Sequence, residues 1–334
     1  MSAVPQTPNC YAGRRVIVTG AAGFIGRWVA RRLSKAGAEL FLPVLDGAFA
    51  GRVFACYDIR GTMMELDVAR SSSVKQTFRE IQPAVLFQLA GYGVNRSERD
   101  EAVFTRVNAE LPEELAGAMA ESGDQSWPGM QLVHAGSIAE YGPIGGDFRE
   151  ESSGRPATLY GKSKLAGTLA LSQHCRRTGV RGLTARLATV YGPGEHAGRL
   201  LPTLIAAAET SGEIALSAGV QKRDFTYVED VADGLLRLGL ARAEPGDVVN
   251  LVTGTLTTVR RFAETAAAVL GIAASRLQFG ALPARADEEM EHLPIATGKL
   301  RKLTGWTPSV AIAEGVRRTA EFLAARPAQE NTNG

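Results

Sequence analysis

The sequence is poor in the features that mark disulfide-bonded, metal-binding, membrane and nucleic-acid-binding chains. It has three cysteines in 334 residues, Cys10, Cys56 and Cys175, too far apart for a CxxC motif and too few for a disulfide framework. They read as reduced thiols, which points to a cytoplasmic location. Four histidines, His134, His174, His196 and His292, show no ligand spacing, so no metal site is expected. No apolar run approaches the roughly 20 residues of a membrane helix. Met1–Asn9 lacks the basic start and apolar stretch of a signal peptide. The formal net charge is only +2 and gathers into no basic tract, which argues against a nucleic-acid partner. Arg14-Arg15, Arg31-Arg32 and Arg176-Arg177 read as solvated ends of elements. Internal repeats and low-complexity blocks are missing too.

What remains is an ordinary globular balance, 45% hydrophobic and 22% charged, on a chain long enough for more than one domain. Apolar runs alternate with amphipathic stretches. Strands are expected at Arg15–Thr19, Glu39–Leu45, Ala84–Ala90, Gln131–Ala135 and Gly182–Val190. Between them the spacing predicts helices over Gly26–Lys35, Ser71–Ile81, Ala102–Ser122 and Leu159–Thr178. This alternation predicts an α/β fold, a Rossmann-type doubly wound parallel sheet. Beyond residue 191 short strands (Ile214–Leu216, Val248–Val252) mix with helices (Leu200–Glu209, Val228–Ala241, Val259–Leu270, Val310–Ala325). The division is a nucleotide-binding domain over 1–190, with a tail over 1–12, and a smaller mixed α/β substrate-binding cap over 191–334. Some cap segments, such as the strand near Val248, are candidates to return to the main sheet. Pro327–Gly334 reads as a second tail.

Directly after the first strand comes Thr19-Gly20-Ala21-Ala22-Gly23-Phe24-Ile25-Gly26. The three glycines suit a tight turn (Gly20), a pyrophosphate approaching the backbone (Gly23) and close helix–strand packing (Gly26). The helix N-terminus then offers free N–H groups to the phosphates. Asp46, near the end of the second strand, would accept the 2′-hydroxyl of NAD and repel a 2′-phosphate. Arg52, close by, would instead suit NADP. Asp67-Val68 either flanks the adenine or begins the next helix.

Tyr160 and Lys164, in Tyr160-Gly161-Lys162-Ser163-Lys164, fall on one face of a helix. A phenol titrates near 10, too high for a base at neutral pH. A neighbouring ammonium and a positive nicotinamide ring would lower it, and Lys164 is also placed to bind the nicotinamide ribose. Ser137 ends the strand Gln131–Ala135, where open α/β sheets place their ligands, and its hydroxyl could hydrogen-bond a substrate oxygen.

Together these residues resemble the extended short-chain dehydrogenase/reductase family, nucleotide-sugar epimerase/dehydratase branch. The likeness rests on TGAAGFIG (19–26), Leu89-Ala90, Val107-Asn108, GSIAEYG (136–142), YGKSK (160–164) and Val190-Tyr191-Gly192-Pro193-Gly194. It continues through RDFTYVEDVA (223–232), Arg285-Ala286-Asp287 and Gly305-Trp306-Thr307-Pro308, so it spans roughly residues 14–325. The resemblance implies a catalytic triad of Ser137, Tyr160 and Lys164. It implies a cofactor lined by Gly20, Gly23, Phe24, Ile25, Gly26, Asp46, Asp67, Val68, Leu89 and Ala90, with Tyr160 and Lys164. It also implies that Arg223 and Arg285 grip a sugar-nucleotide diphosphate, as suits guanidinium forks. Thr189, where many relatives have asparagine, and Arg199 join the substrate side. Loops 91–101 and 193–199, carrying Arg96, Arg99, His196 and Arg199, are expected to shape the sugar pocket. Relatives that eliminate water carry an acidic pair after the catalytic Ser/Thr; here stand Ile138 and Ala139. The expected activity is therefore a nucleotide-sugar epimerase, acting at C4 through a transient ketone and using NAD, or NADP in its place. The alternative is a 4-ketoreductase of 4-keto-6-deoxy sugar nucleotides, and the intact triad argues against a third, non-catalytic binder. A homodimer through the helices Ala102–Ser122 and Leu159–Thr178 is implied. Leu111, Leu115, Leu165 and Leu169 on these helices suit either that interface or the core.

Overall fold

The computed structural model describes residues 9–70, 72–93, 98–143, 147–283 and 293–326. The first half runs β1 (Arg15–Thr19), α1 (Phe24–Lys35), β2 (Glu39–Val44), α2 (Gly47–Cys56), β3 (Thr62–Glu65), α3 (Val74–Ile81), β4 (Val85–Gln88), α4 (Glu101–Val103), α5 (Leu111–Ser122), β5 (Leu132–Ser137), α6 (Leu159–Thr178) and β6 (Gly182–Leu187). The second half runs β7 (Thr189–Tyr191), α7 (Leu200–Ala208), β8 (Ile214–Leu216), β9 (Lys222–Tyr227), α8 (Val228–Leu240), β10 (Asp247–Leu251), β11 (Leu256–Thr258), α9 (Val259–Val269), β12 (Leu277–Phe279), α10 (Gly298–Thr304) and α11 (Ile312–Ala324).

Seven strands form one sheet in the order β3-β2-β1-β4-β5-β6-β10, with every neighbouring pair parallel. The order reverses between β1 and β4, which opens a crevice at the carboxyl ends of those strands. β1 shows why its run is apolar throughout. Val16 and Val18 join one core layer with Trp28, Val29 and Leu33 of α1 and Val231 and Leu235 of α8. Ile17 joins the opposite layer with Phe78, Leu115, Met119 and Leu171. A strand buried on both faces has no polar side to alternate with. Each such side chain contributes roughly 1.5–3 kcal/mol by leaving water.

Outside that sheet the pairing is mixed. β7 pairs parallel with β9, β9 antiparallel with β11, and β8 parallel with β12. β10 instead pairs with β6 at the edge of the main sheet.

Several expectations change. The single strand over Gly182–Val190 is two, broken at Ala188, and the second joins the cap sheet. The helix over Ala102–Ser122 has a π-helical stretch, Phe104–Glu110, ahead of Pro112 in the first turn of α5. α2 and β3 were not anticipated. The tail expected over 1–12 ends earlier, because Tyr11 is buried and donates its hydroxyl to Leu236 O at 2.6 Å. Residues 1–8 and 327–334 of the two expected tails lie outside the described residues. Leu111 and Leu115 belong to the core, whereas Leu169 on α6 is 59% exposed. Among the described residues no helix is long and apolar enough to cross a membrane.

Candidate active site

The glycine turn is built from contacts that leave no room for side chains. Gly20 has φ +67°, and a Cβ there would lie 2.8 Å from Ala90 N. A Cβ on Gly26 would lie 2.0 Å from Gly20 O, which lets α1 press against the turn. Gly23 donates its amide to Gly20 O at 2.9 Å and precedes α1 without a side-chain cap. The first-turn amides of α1 are thus left for an anion. Thr19 Oγ1 accepts the amides of Leu89 and Ala90 at 3.2 and 3.3 Å, tying the end of β4 to this turn. Phe24 and Ile25 are half-buried at the start of α1. The cradle fits a dinucleotide pyrophosphate.

Asp46 stands two residues past β2, exposed, with Oδ1 accepting the Phe49 amide at 2.8 Å as the cap of α2. Its capping role is a structural duty the sequence did not reveal. Arg52 is exposed on α2. Asp67 Oδ1 accepts the Ala69 amide at 2.9 Å, and Val68 is buried. Asp67 forms a tight turn and does not begin a helix, since α3 starts at Val74.

Ser137, Tyr160 and Lys164 come together at the carboxyl end of β5. Thr158 caps α6 by accepting the Gly161 amide at 3.0 Å, which fixes Tyr160 in its first turn. Gly161 lets that turn close on the serine loop: a Cβ there would lie 2.5 Å from Ala139 O. Ser137 Oγ accepts the Ala139 amide at 3.2 Å, and the serine lies close enough to Tyr160 to act on its phenol. The Tyr160 ring also borders Gly93, whose Cβ would lie 3.2 Å from Tyr160 Cδ2. Asn108 braces the rear of the helix, donating to Tyr92 O at 2.8 Å and Ser163 Oγ at 3.0 Å.

Burial sets the protonation balance. Lys164 is 4% exposed, and burial pushes its ammonium down to about 8, against an opposing pull from Glu140. Burial raises the Tyr160 phenol above its ordinary value, with Ser137 working the other way. The protein's own groups therefore leave Tyr160 protonated at neutral pH, and the lowering expected from Lys164 does not come from the chain alone. Below the pair lies His134, wholly buried, with Nδ1 hydrogen-bonded to Gln88 Oε1 and held neutral by burial and by Lys164.

The substrate-side residues are more scattered. Thr189 is half-buried at the start of β7. Arg199 precedes α7, 3.6 Å from Glu195, and its charge reaches Tyr160. His196 shares this corner with Arg27, Glu98 and Arg199. The loop is anchored by Trp28 Nε1 of α1, which donates to Pro193 O at 2.9 Å. Arg223 is half-buried on β9, opposite Thr257. Arg99 is exposed; Arg96 and Arg285 lie outside the described residues. Sequence reasoning assigned no role to Gln88, His134, Glu140, Arg186 or Glu195. A charged residue inside the apolar run GLTARL (182–187) was the one available signal for Arg186.

The chain matches the model of the NAD dependent epimerase/dehydratase family over residues 16–251. It is 31% identical over 318 residues to dTDP-6-deoxy-L-talose 4-dehydrogenase (NAD(P)(+)) of Kitasatospora kifunensis, covering 92% of this chain and 94% of that one. It is 28% identical over 330 residues to UDP-glucose 4-epimerase of Mycolicibacterium smegmatis, covering 92% and 98%. Among solved structures, dTDP-glucose 4,6-dehydratase from Bacillus anthracis in complex with NAD superposes with a TM-score of 0.79. That pair covers 94% and 97% of the two chains at 17% identity, a likeness of fold.

Proposed function

Because the chain belongs to the NAD dependent epimerase/dehydratase family, we propose that it exchanges hydride at C4 of a nucleotide-diphosphate sugar as an NAD-dependent epimerase. The observation that carries this reading is the placement of half-buried Tyr160 and buried Lys164 four residues apart in α6, beside Ser137 at the end of β5.

In this reading Tyr160 removes the proton of the C4 hydroxyl, Ser137 hydrogen-bonds the same oxygen, and Lys164 supplies the local positive charge. The nicotinamide dinucleotide, when bound, supplies the hydride acceptor and the ring charge that brings the Tyr160 phenolate within reach. Gly20, Gly23 and Gly26 would hold its pyrophosphate, and Asp46 its ribose, which favours NAD over NADP. Arg223, with Arg199 and Thr189 nearer the reacting end, would hold the substrate diphosphate and sugar. The same face keeps a 4-keto sugar while it turns. Elimination of water is disfavoured: Ile138 is buried, Ala139 carries no acid, and Glu140 is committed to Arg186 and the Ser137 amide. We further place the enzyme in the cytoplasm, as a homodimer paired through α5 and α6 with Leu169 at the contact.

One observation favours a second reading, a 4-ketoreductase: the relative at 31% identity is named as a 4-dehydrogenase using NAD(P)(+). The two separate in one assay. Isomerisation of a nucleotide hexose with no net change in NADH absorbance is the expected result. Stoichiometric loss of NAD(P)H with a 4-keto-6-deoxy sugar nucleotide would establish the second reading instead. An enzyme that turns over neither class of substrate refutes both.

A further inference from the structure

Glu140 and Arg186 form an ion pair with almost no exposed surface, 0% and 4% of their side chains. Arg186 Nε donates to Glu140 Oε2 at 2.8 Å. The guanidinium carbon lies 4.3 Å from the centre of the Tyr141 ring, and Tyr141 donates its hydroxyl to Asn250 Oδ1 at 2.8 Å. Gly136, Arg186 and Asn250 are register neighbours on β5, β6 and β10, so Arg186 is on the middle strand of three, and Glu140 meets it from the turn after β5.

The second oxygen of Glu140 points toward the reacting groups. Oε1 accepts the Ser137 amide at 2.7 Å, while Ser137 Oγ accepts the Ala139 amide, a reciprocal cap of the turn that carries the serine. Two glycines make room for it: a Cβ at Gly136 would lie 2.6 Å from Glu140 Oε1, and one at Gly154 2.1 Å from Glu140 O. A buried ion pair is a poor way to gain stability, since an apolar pair of like volume does as well or better. Its placement under Ser137 calls for another account.

We propose that Glu140 is a positioning residue: anchored by Arg186, it locks the Ser137 turn against Tyr160 and sets a fixed negative charge beside the Tyr160–Lys164 pair. This rests on the reading that Ser137, Tyr160 and Lys164 carry the hydride chemistry. The charged groups facing Tyr160 are Glu140, Glu98 and Arg199; Lys164 faces Glu140 and the neutral ring of His134. Glu140 is the one that bears on both. It favours the Lys164 ammonium and opposes the Tyr160 phenolate. Arg186 acts on neither directly, so its part is to hold Glu140 in place.

The test compares wild type with Glu140→Gln, which keeps an acceptor for the Ser137 amide and removes the charge. Tyrosinate absorbance of the NAD+-saturated protein is titrated against pH, with the matching Tyr160→Phe chain subtracted. The Tyr160 midpoint is expected to fall by roughly half a unit or more. The acid limb of kcat should follow it, with KM for the nucleotide sugar unchanged. Glu140→Ala also releases the Ser137 amide, and its plateau kcat should fall a further factor of about ten. An unmoved midpoint with kcat depressed equally at every pH would mean a merely structural role and overturn the proposal. If Glu140→Gln does not fold, Glu140→Gln with Arg186→Met removes both charges, and an unmoved midpoint there overturns it equally. The titration needs no substrate. A midpoint that moves in a protein inert toward every nucleotide sugar upholds the positioning role and sinks the proposed function instead.

Discussion

Replacing Gly26 by alanine probes the cofactor turn directly. The new Cβ would lie 2.0 Å from Gly20 O and 2.7 Å from the Gly20 carbonyl carbon. Relaxed carbon contacts lie at about 3.5 Å, so α1 or the turn must retreat by roughly 1.5 Å. Neither has slack. Both contacts are backbone, and Gly20 is itself wedged so that its own Cβ would sit 2.8–2.9 Å from the backbone of Leu89 and Ala90. Overpacking of this kind costs about 1–3 kcal/mol. Alanine returns about 0.5–1 kcal/mol through its better helix propensity. The net loss therefore lies between about 0 and 2.5 kcal/mol, and toward the upper end here because neither backbone contact can give way. Gly23→Ala is the control. Its Cβ meets Gly20 O at 3.1 Å and nothing else, so the fold should lose under about 1 kcal/mol while the methyl group stands where a phosphate approaches. Urea unfolding without cofactor and calorimetric titration with NAD+ separate the two. Gly26→Ala should be weaker by both measures, and Gly23→Ala by the second alone. A Gly26→Ala protein as stable as wild type, or a Gly23→Ala protein binding NAD+ normally, refutes the reasoning.

Tyr160→Phe should lower kcat by about 10²–10⁴ with NAD+ binding retained; ordinary turnover would remove the phenol from the chemistry. Lys164 is cationic below about 8 and neutral above it, so turnover should decline as pH rises through that value. Lys164→Met should be slow at every pH and lack this decline, and a limb that persists there belongs to another group. Burial raises the Glu195 carboxyl from 4.5 to about 7, so the folded state holds that proton more tightly than the unfolded chain. Its ionisation therefore costs stability above about pH 7, a cost that fades as pH falls toward the unfolded value. Glu195→Gln should gain roughly 2 kcal/mol over wild type at about pH 8 and little at about pH 5, read by denaturant unfolding; parallel profiles contradict this. Trp28→Phe leaves Pro193 O without its donor and should cost about 1–2 kcal/mol, seen as a lower thermal midpoint. An unchanged midpoint would show that the indole N–H holds nothing.

Elements whose physics is local were legible in the sequence. β1, α1 and α6 carry an apolar run, a glycine turn and a Tyr160–Lys164 pair at helical spacing, each readable within a few residues. β3 was missed because it is an exposed edge strand with no alternation to detect. α2 was missed because its first-turn cap, Asp46, had been read only as a ribose ligand. The break at Ala188 depends on β7 finding β9 about 35 residues later, and no short window contains that pairing. The meeting of Ser137, Tyr160 and Lys164 was readable because Tyr160 and Lys164 are helix neighbours and Ser137 ends a strand. Its supports were not: Gln88–His134 and Glu140–Arg186 each join residues 46 apart, the first by parallel strand register and the second by a turn after β5 folding back on β6.

The return of β10 to the main sheet reaches beyond topology. It covers the outer edge of β6, so a chain severed near residue 190 would bare a row of unsatisfied amides and carbonyls, an invitation to aggregate. The sheet that carries the glycine turn is thus sewn shut by sequence more than fifty residues beyond β6. Recombination that trades one whole lobe for another would tear this seam. Exchange of individual loops at the carboxyl ends of the strands leaves it whole.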